Sequence, residues 1–247
     1  MNSWPEGVER VVLAEIDSTN AEAQRRAASV FAPTWIAARR QIAGRGRSGR
    51  AWASPEGNLA ATLLLRRDEP PAAKARLSFH AALAVADVIA AHAPGKQVTL
   101  KWPNDVLLDD AKVSGILLES FSTRAPAANI AIGIGINLAH FPPATETRWP
   151  ATSVAATTGV APDPEDVLAH LATRMAFWLA EDTERGFEPI RAAWLARAAH
   201  LGRRIEARLP DRTLGGIFED VSPDGALVLR TGAGREVISA ADVHLPD

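Results

Sequence analysis

The 247-residue chain contains no cysteine. Disulfides, thiolate metal sites and a cysteine nucleophile are thereby excluded. Long apolar runs are missing as well. The N-terminal M-N-S-W-P-E-G-V-E-R has acids and no stretch of signal-peptide type. The most apolar later segment, Ile130 to Phe141, is interrupted by Gly133, Gly135 and Asn137 and is too short to span a bilayer. No membrane partner is expected, and a cytoplasmic enzyme or binding protein is the default. Nor is there an excess of positive charge: 27 Lys and Arg against 29 Asp and Glu leave a formal charge of −2. Bulk electrostatic binding to nucleic acid is disfavoured, so any basic stretch must serve something local. The remaining composition, 47% apolar and 23% charged, is that of an ordinary globular protein. At about 150 residues per domain, the length suits one large domain or one domain plus a small one.

The basic stretch that does occur reads R-R-Q-I-A-G-R-G-R-S-G-R-A-W-A-S-P-E-G-N from Arg39 to Asn58. Arg39, Arg40, Arg45, Arg47 and Arg50 lie in its first part with no acid among them, and Gly44, Gly46 and Gly49 separate three of them. Glycine allows close backbone approach to a ligand, and arginine offers a fixed fork of donors to carboxylate or phosphate. A cationic clamp for an anion is the reading, with a merely solvated basic loop as the alternative. The G-x-G-x-x-G spacing is weak by itself. Turn residues Ser54, Pro55 and Gly57 follow it, and then a strand-like run, Leu59 to Leu65, where a dinucleotide fold needs a helix. A P-loop fails because Arg50 and Ala51 follow Gly49, and a kinase fails because no H-R-D or D-F-G occurs downstream.

Val8 to Ile16 reads as a strand ending at Asp17, Ser18, Thr19 and Asn20. Thr19 and Glu22 have capping-box spacing ahead of a helix over Ala21 to Ser29. The polar cluster there is either only a cap or a set of groups for a polar ligand. Thr34 to Gln41 and Leu59 to Arg66 read as strands around the basic loop. After a turn at Pro70 and Pro71, Lys74 to His92 has helical periodicity. Gln97 to Trp102, Val106 to Leu108 and Lys112 to Glu119 are strands, with Asn104 and Asp105 in a held turn and Asp109 and Asp110 in a hairpin turn. Lys112 opens an otherwise apolar strand, as an edge marker or as a charge aimed into a pocket. Asn129 to Leu138 sets Ile130, Ile132, Ile134 and Ile136 on one face and Ala131, Gly133, Gly135 and Asn137 on the other. The glycine face predicts close approach by another element or a ligand. Helices follow over Glu165 to Ala180 and Phe187 to Ala199, joined around Gly186. From Arg203 onward, short strands with P-D, S-P-D-G and G-A-G turns predict a small β-barrel of about five strands, with a boundary near Gly202.

These segments resemble a biotin protein ligase. The resemblance covers nearly the whole chain and rests on four ordered blocks: D-S-T-N at Asp17, G-R-G-R-S-G-R-A-W-A-S-P at Gly44, K-W-P-N-D at Lys101 with K-V-S-G-I-L-L-E at Lys112, and G-I-G-I-N at Gly133. It implies an α+β fold: a mixed sheet flanked by helices, of the class II synthetase-like biotin/lipoate ligase type, over 1–201, followed by an SH3-like β-barrel over 202–247. The implied reaction activates biotin with ATP and Mg²⁺ to biotinyl-5′-AMP. The biotinyl group then passes to a specific lysine of the biotin carboxyl carrier protein of acetyl-CoA carboxylase or a related carboxylase. By the same resemblance Ser18, Thr19, Asn20 and Gln41 hold the ureido ring, and Arg45, Gly46 and Arg47 line the biotin and phosphate site. Lys112 binds the biotin carboxylate and then the acyl phosphate as an electrostatic catalyst. Trp52 packs on the adenine, and Arg50, Asn104 and Asn137 sit at the nucleotide. Gly115 admits the ligand, and Asp105 orients either the metal or the incoming amine.

Departures from that pattern are informative. Only sixteen residues precede Asp17, too few for the winged-helix domain some relatives carry there, so specific DNA binding is not expected. Near the end His244 and Pro246 stand where relatives often have serine and arginine, which leaves the catalytic part of the C-terminal domain open. Ser48 replaces a common third arginine, and Ala60 a frequent tyrosine. Lipoate or octanoate ligases share the scaffold and form the alternative, but a lipoyl pocket would leave Gln41 and Ser18 to Asn20 unpaired at about 1 to 3 kcal/mol each. A homodimer formed by sheet extension is compatible with the resemblance.

Overall fold

The computed structural model describes residues 4–67, 75–121, 128–146 and 149–245. The Pro70 and Pro71 turn, Lys74 and Pro246 lie outside them. Seven strands form the main sheet: β1 (Glu9–Ile16), β2 (Thr34–Gln41), β3 (Leu59–Arg67), β4 (Val98–Lys101), β5 (Asp105–Leu108), β6 (Ala111–Phe121) and β7 (Ala128–Ile136). Their order is β1-β2-β3-β7-β6-β5-β4. Only β1 and β2 are parallel, joined by the crossover helix α1 (Thr19–Arg26); every other neighbour is antiparallel. Asp109 and Asp110 both take positive φ, 48° and 63°, in the hairpin between β5 and β6. Short polar side chains tolerate that region better than others, which is why a D-D pair can turn there.

The period-2 alternation of the strands separates two cores. Trp35 and Ala37 of β2, Leu63 and Leu65 of β3, and Ile130, Ile132, Ile134 and Ile136 of β7 join the large core. It is completed by α2 (Leu77–His92), α4 (Pro164–Arg185) and α5 (Phe187–Leu195); the short α3 (Val154–Thr158) follows the β7 end. The opposite face carries α1, where Ala23 packs with Ile36, Leu64 and Ala131. Asp87 of α2 ties the helices together, accepting from Arg174 Nε at 2.8 Å, Trp178 Nε1 at 2.9 Å and Arg197 at 2.7 Å. Among the described residues no helix is long and apolar enough to cross a membrane.

The C-terminal sheet consists of β8 (Arg204–Arg208), β9 (Thr213–Val221), β10 (Leu227–Thr231), β11 (Gly234–Ile238) and β12 (Asp242–His244). It is antiparallel, in the order β11-β10-β9-β8-β12, with the strand number expected of the SH3-like unit. The sequence assigned four of these strands; β12 is three residues long and has too little pattern to read. No apolar gap separates this sheet from the helices. Trp194 of α5 lies between Phe79 of α2, with ring centroids 5.2 Å apart, and Phe218 of β9, at 6.5 Å. Arg191 of α5 adds paired contacts at 2.7 and 2.6 Å to Asp220.

Trp194→Ala is therefore expected to remove about 3 to 5 kcal/mol of stability, read as a lower urea midpoint with helix and sheet signals falling together. Separate transitions for the two sheets would contradict the continuous core.

Candidate active site

The residues expected to act together line one cleft of about 670 Å³ on the α1 side of the main sheet. All fourteen border it: Ser18, Thr19 and Asn20 from α1 and its cap, Gln41 ending β2, Arg45, Gly46, Arg47, Arg50 and Trp52 of the loop, Asn104 and Asp105 before and opening β5, Lys112 and Gly115 of β6, and Asn137 after β7.

At one end lies a buried amide and hydroxyl network. Ser18 is the helix cap but its side chain makes no capping bond. The capping box predicted for Thr19 and Glu22 does not form: Thr19 donates from its backbone N–H and its hydroxyl to Gln41 Oε1 at 2.8 and 3.0 Å, and Glu22 pairs with Arg25 and Arg26. Tertiary partners outcompeted the local motif. Gln41 Nε2 donates to Ser54 Oγ at 2.9 Å, which fixes its amide orientation. Thr62 Oγ1 of β3 lies 2.6 Å from Asn20 Oδ1 and 2.8 Å from Thr19 Oγ1, and Asn20 Nδ2 donates to Glu119 at 2.7 Å. With every amide oriented, the Ser18 hydroxyl and the outward lone pairs and N–H groups form a rigid polar cradle.

The glycine face of β7 performs the role its pattern predicted. A Cβ on Gly133 would collide with the Asn20 amide, and one on Gly135 with the Trp52 indole. Small residues there let two side chains lie flat against the strands. Gly115 of β6 opposes Gly135 and continues the strip beneath Trp52.

The loop folds back as a narrow hairpin. Trp52 N donates to Gly44 O at 2.9 Å and Gly46 N to Arg50 O at 2.7 Å, with Ser48 and Gly49 at positive φ at the tip. Its arginines reach the C-terminal sheet. Arg50 pairs with Asp242 of β12; Arg47 lies 3.7 Å from the same carboxylate and donates to Asn104 Oδ1 at 3.3 Å and Ala241 O at 3.4 Å. Arg45 faces Glu119 at 3.9 Å. Asp242, Val243 and His244 border the cleft, so the C-terminal sheet supplies one wall although its expected serine and arginine are absent.

Between cradle and loop sits a cationic centre. Lys112 Nζ lies 2.6 Å from Asp105 Oδ1 and 5.4 Å from the Trp52 ring centroid. Lys101 Nζ is 3.6 Å from Asp105 Oδ2 and 4.8 Å from the centroid of Trp149. Burial pushes the Lys101 ammonium below the ordinary lysine range, with Asp105 partly opposing. Asp105 thus has an ammonium at each oxygen, a poor setting for a metal cation. Among the described residues no group of three or more His, Asp or Glu could hold a metal ion. Asn137 donates to Thr152 O at 3.0 Å and so faces the cleft with its remaining groups.

Lys101, Thr62, Glu119, Trp149 and Asp242 were not singled out in the sequence. Lys101 stood in the K-W-P-N-D block, and its four-residue spacing from Asp105 across a tight hairpin was the available signal. Asp242 had none, because its meaning depends on a sheet more than 190 residues from its arginine partners in sequence.

The profile described as Biotin/lipoate A/B protein ligase family matches residues 12–137, and that of the Biotin protein ligase C terminal domain matches 200–245. A Paracoccus denitrificans protein named biotin-acetyl-CoA-carboxylase ligase is 49% identical over 236 residues, 94% of this chain and 98% of its own. The chain belongs to the biotin/lipoate protein ligase family. A ligase of the same name from Mycobacterium tuberculosis is 35% identical over 95% of this chain and 88% of its own length. The Aquifex aeolicus biotin protein ligase, solved with biotin and ATP, superposes with a TM-score of 0.82 at 27% identity, over 96% of this chain and 99% of that one. In this ligase-family chain the fold expected from the four motifs is the fold observed, a mixed sheet with helices and a C-terminal antiparallel sheet.

Gly135→Ala should lift Trp52 and loosen the loop, giving several-fold faster tryptic cleavage after Arg45, Arg47 or Arg50. Unchanged cleavage would show that the glycine strip does not hold the loop down.

Proposed function

We infer that this chain is a biotin-acetyl-CoA-carboxylase ligase: it joins biotin to ATP, forming biotinyl-5′-AMP and pyrophosphate, and transfers the biotinyl group to a lysine of a biotin carboxyl carrier protein. The observation that carries this reading is the order of groups along one cleft, with a polar cradle, a lysine in the middle and an arginine loop beyond it.

In the first half-reaction a carboxylate oxygen attacks the α-phosphorus and pyrophosphate leaves. Both reactants are anions, so their approach is opposed until fixed cations offset it. The cradle of Ser18, Thr19, Asn20 and Gln41 suits a ureido ring, which needs donors and acceptors together. Its carboxylate arm is then directed toward Lys112. Arg45, Arg47 and Arg50 receive the phosphates by bidentate bonding. Trp52, Asn104 and Asn137 complete the nucleotide side. Lys112 acts as a positive charge and needs no proton transfer, leaving Asp105 for the acyl phosphate as it forms. A Mg²⁺ accompanying ATP would ride on triphosphate oxygens, since that ion usually keeps waters and few protein ligands. Asp105 is assigned instead to the incoming carrier amine. In the second half-reaction that amine attacks the biotinyl carbonyl and AMP leaves with the electron pair of the broken C–O bond. A closed arginine loop excludes water meanwhile.

The alternative ligand, an alkyl acid such as lipoate, has no ureido ring to use the Ser18 hydroxyl and the cradle's remaining outward donors and acceptors. ATP-pyrophosphate exchange should depend on biotin; exchange with lipoate and not biotin would transfer the assignment. Lys112→Ala should lower pyrophosphate release by about two to three orders of magnitude, and near-normal release by this variant would remove Lys112 from its role.

A further inference from the structure

The proposed reaction uses Lys112 and Asp105 but leaves Lys101 without a task, and burying an ammonium there is unfavourable unless something compensates. Lys101 ends β4, directly opposite Asp105 in the β4–β5 hairpin, and its side chain is 9% exposed. One face of its surroundings is Asp105, at 3.6 Å, and the other is the Trp149 indole, which also packs against His200 at 5.6 Å. Lys112, which borders the same cleft as Lys101, is 26% exposed. The two lysines thus address different oxygens of one carboxylate, and Lys101 is the more buried of the two.

This asymmetry matters when the adenylate is present. Lys112 is then drawn to the acyl phosphate, and Asp105 loses its 2.6 Å partner. A carboxylate standing alone would bind the carrier's lysine tightly as an ammonium, which has no lone pair and cannot attack. We propose that Lys101 is a positioning residue of the transfer step: its buried ammonium offsets the Asp105 charge, so that the carrier lysine is guided to the carbonyl yet released from its proton there. This inference rests on the ligase reading above. The proton leaves through Asp105 to solvent, the freed nitrogen pair forms the C–N bond, AMP departs with the C–O pair, and loss of the second amine proton gives the amide. A cationic neighbour lowering the proton affinity of a nucleophilic lysine is an established electrostatic device.

The charges facing this pair come from several elements: Asp105 on β5, Lys112 on β6, Asp242 on β12, and His200 after α5. Arg203 and Asp110 act on His200. Burial lowers His200 below the ordinary histidine range, with Lys101 and Arg203 reinforcing this and Asp110 opposing it. Lys101 is the buried cation of the set.

The test uses the whole chain, loaded with biotin and ATP to form the adenylate, in single turnover with a biotin carboxyl carrier domain across a range of pH. Lys101→Met should move the pH dependence of transfer upward by about one unit, equivalent to about tenfold slower transfer near neutrality. Lys101→Arg should retain the parent profile. Hydroxylamine, an amine already uncharged near neutrality, serves as a second acceptor and should react with the Met variant's adenylate at the parent rate. Lys101→Gln makes the same comparison if the Met variant does not fold. An unmoved pH profile would overturn the proposal, and so would equal losses with carrier and hydroxylamine, or a loss of pyrophosphate release as large as the loss of transfer. Failure of the parent chain itself to biotinylate the carrier would instead remove the ligase reading.

Discussion

A strip of strand surface without side chains governs the rest of the cleft. Gly133 and Gly135 of β7, with Gly115 beside them, leave room for Asn20 and Trp52 to rest on the backbone. Asn20 brings α1 down onto the sheet and links it to Thr62 and Glu119; Trp52 brings the arginine loop down at the other end. Excluded volume therefore sets where the polar cradle and the cationic loop stand. Everything electrostatic in the site follows from that spacing. The isoleucines on the reverse face of β7 fix the orientation, because a one-residue slip would turn glycines inward and isoleucines into the cleft.

Charge pairing in the cleft is graded by burial. Asp105 and Lys101 are nearly enclosed, Lys112 and Arg47 are partly open, and Arg50 at the tip is half-exposed. In low dielectric a fixed charge acts strongly and reorganises little, whereas an exposed pair is screened and exchanges partners readily. Fixed charge thus sits where bonds would form and exchangeable charge where a polyanion would arrive.

The sequence carried the main sheet well, since β2 and β3 fall where the strand readings of Thr34 to Gln41 and Leu59 to Arg66 put them, and the glycine face of β7 had a physical reading before any contact was known. Local rules failed where tertiary contacts were stronger. Thr19 and Glu22 had ideal spacing for a capping box, yet Thr19 turns to Gln41 and Thr62, and Glu22 to two arginines. Fourteen site residues converge because each motif is local and rigidly attached to a strand end. Partners that act across the fold stayed hidden: no spacing rule relates Asp242 to Arg50, and Trp149 gains its meaning only by lying over Lys101. The change in composition near Gly202 was real, but Phe79, Trp194 and Phe218 carry one core across it.

Asp242 gives the arginine loop a carboxylate before any ligand supplies one. On the proposed reading, Arg47 and Arg50 could not give their full donor sets to phosphate and to Asp242 at once, so the C-terminal sheet and a nucleotide would compete for the same two side chains. Each phosphate contact would then report a difference between two anions and never an absolute gain. The wall of the cleft would in this sense be a weak internal surrogate for the ligand.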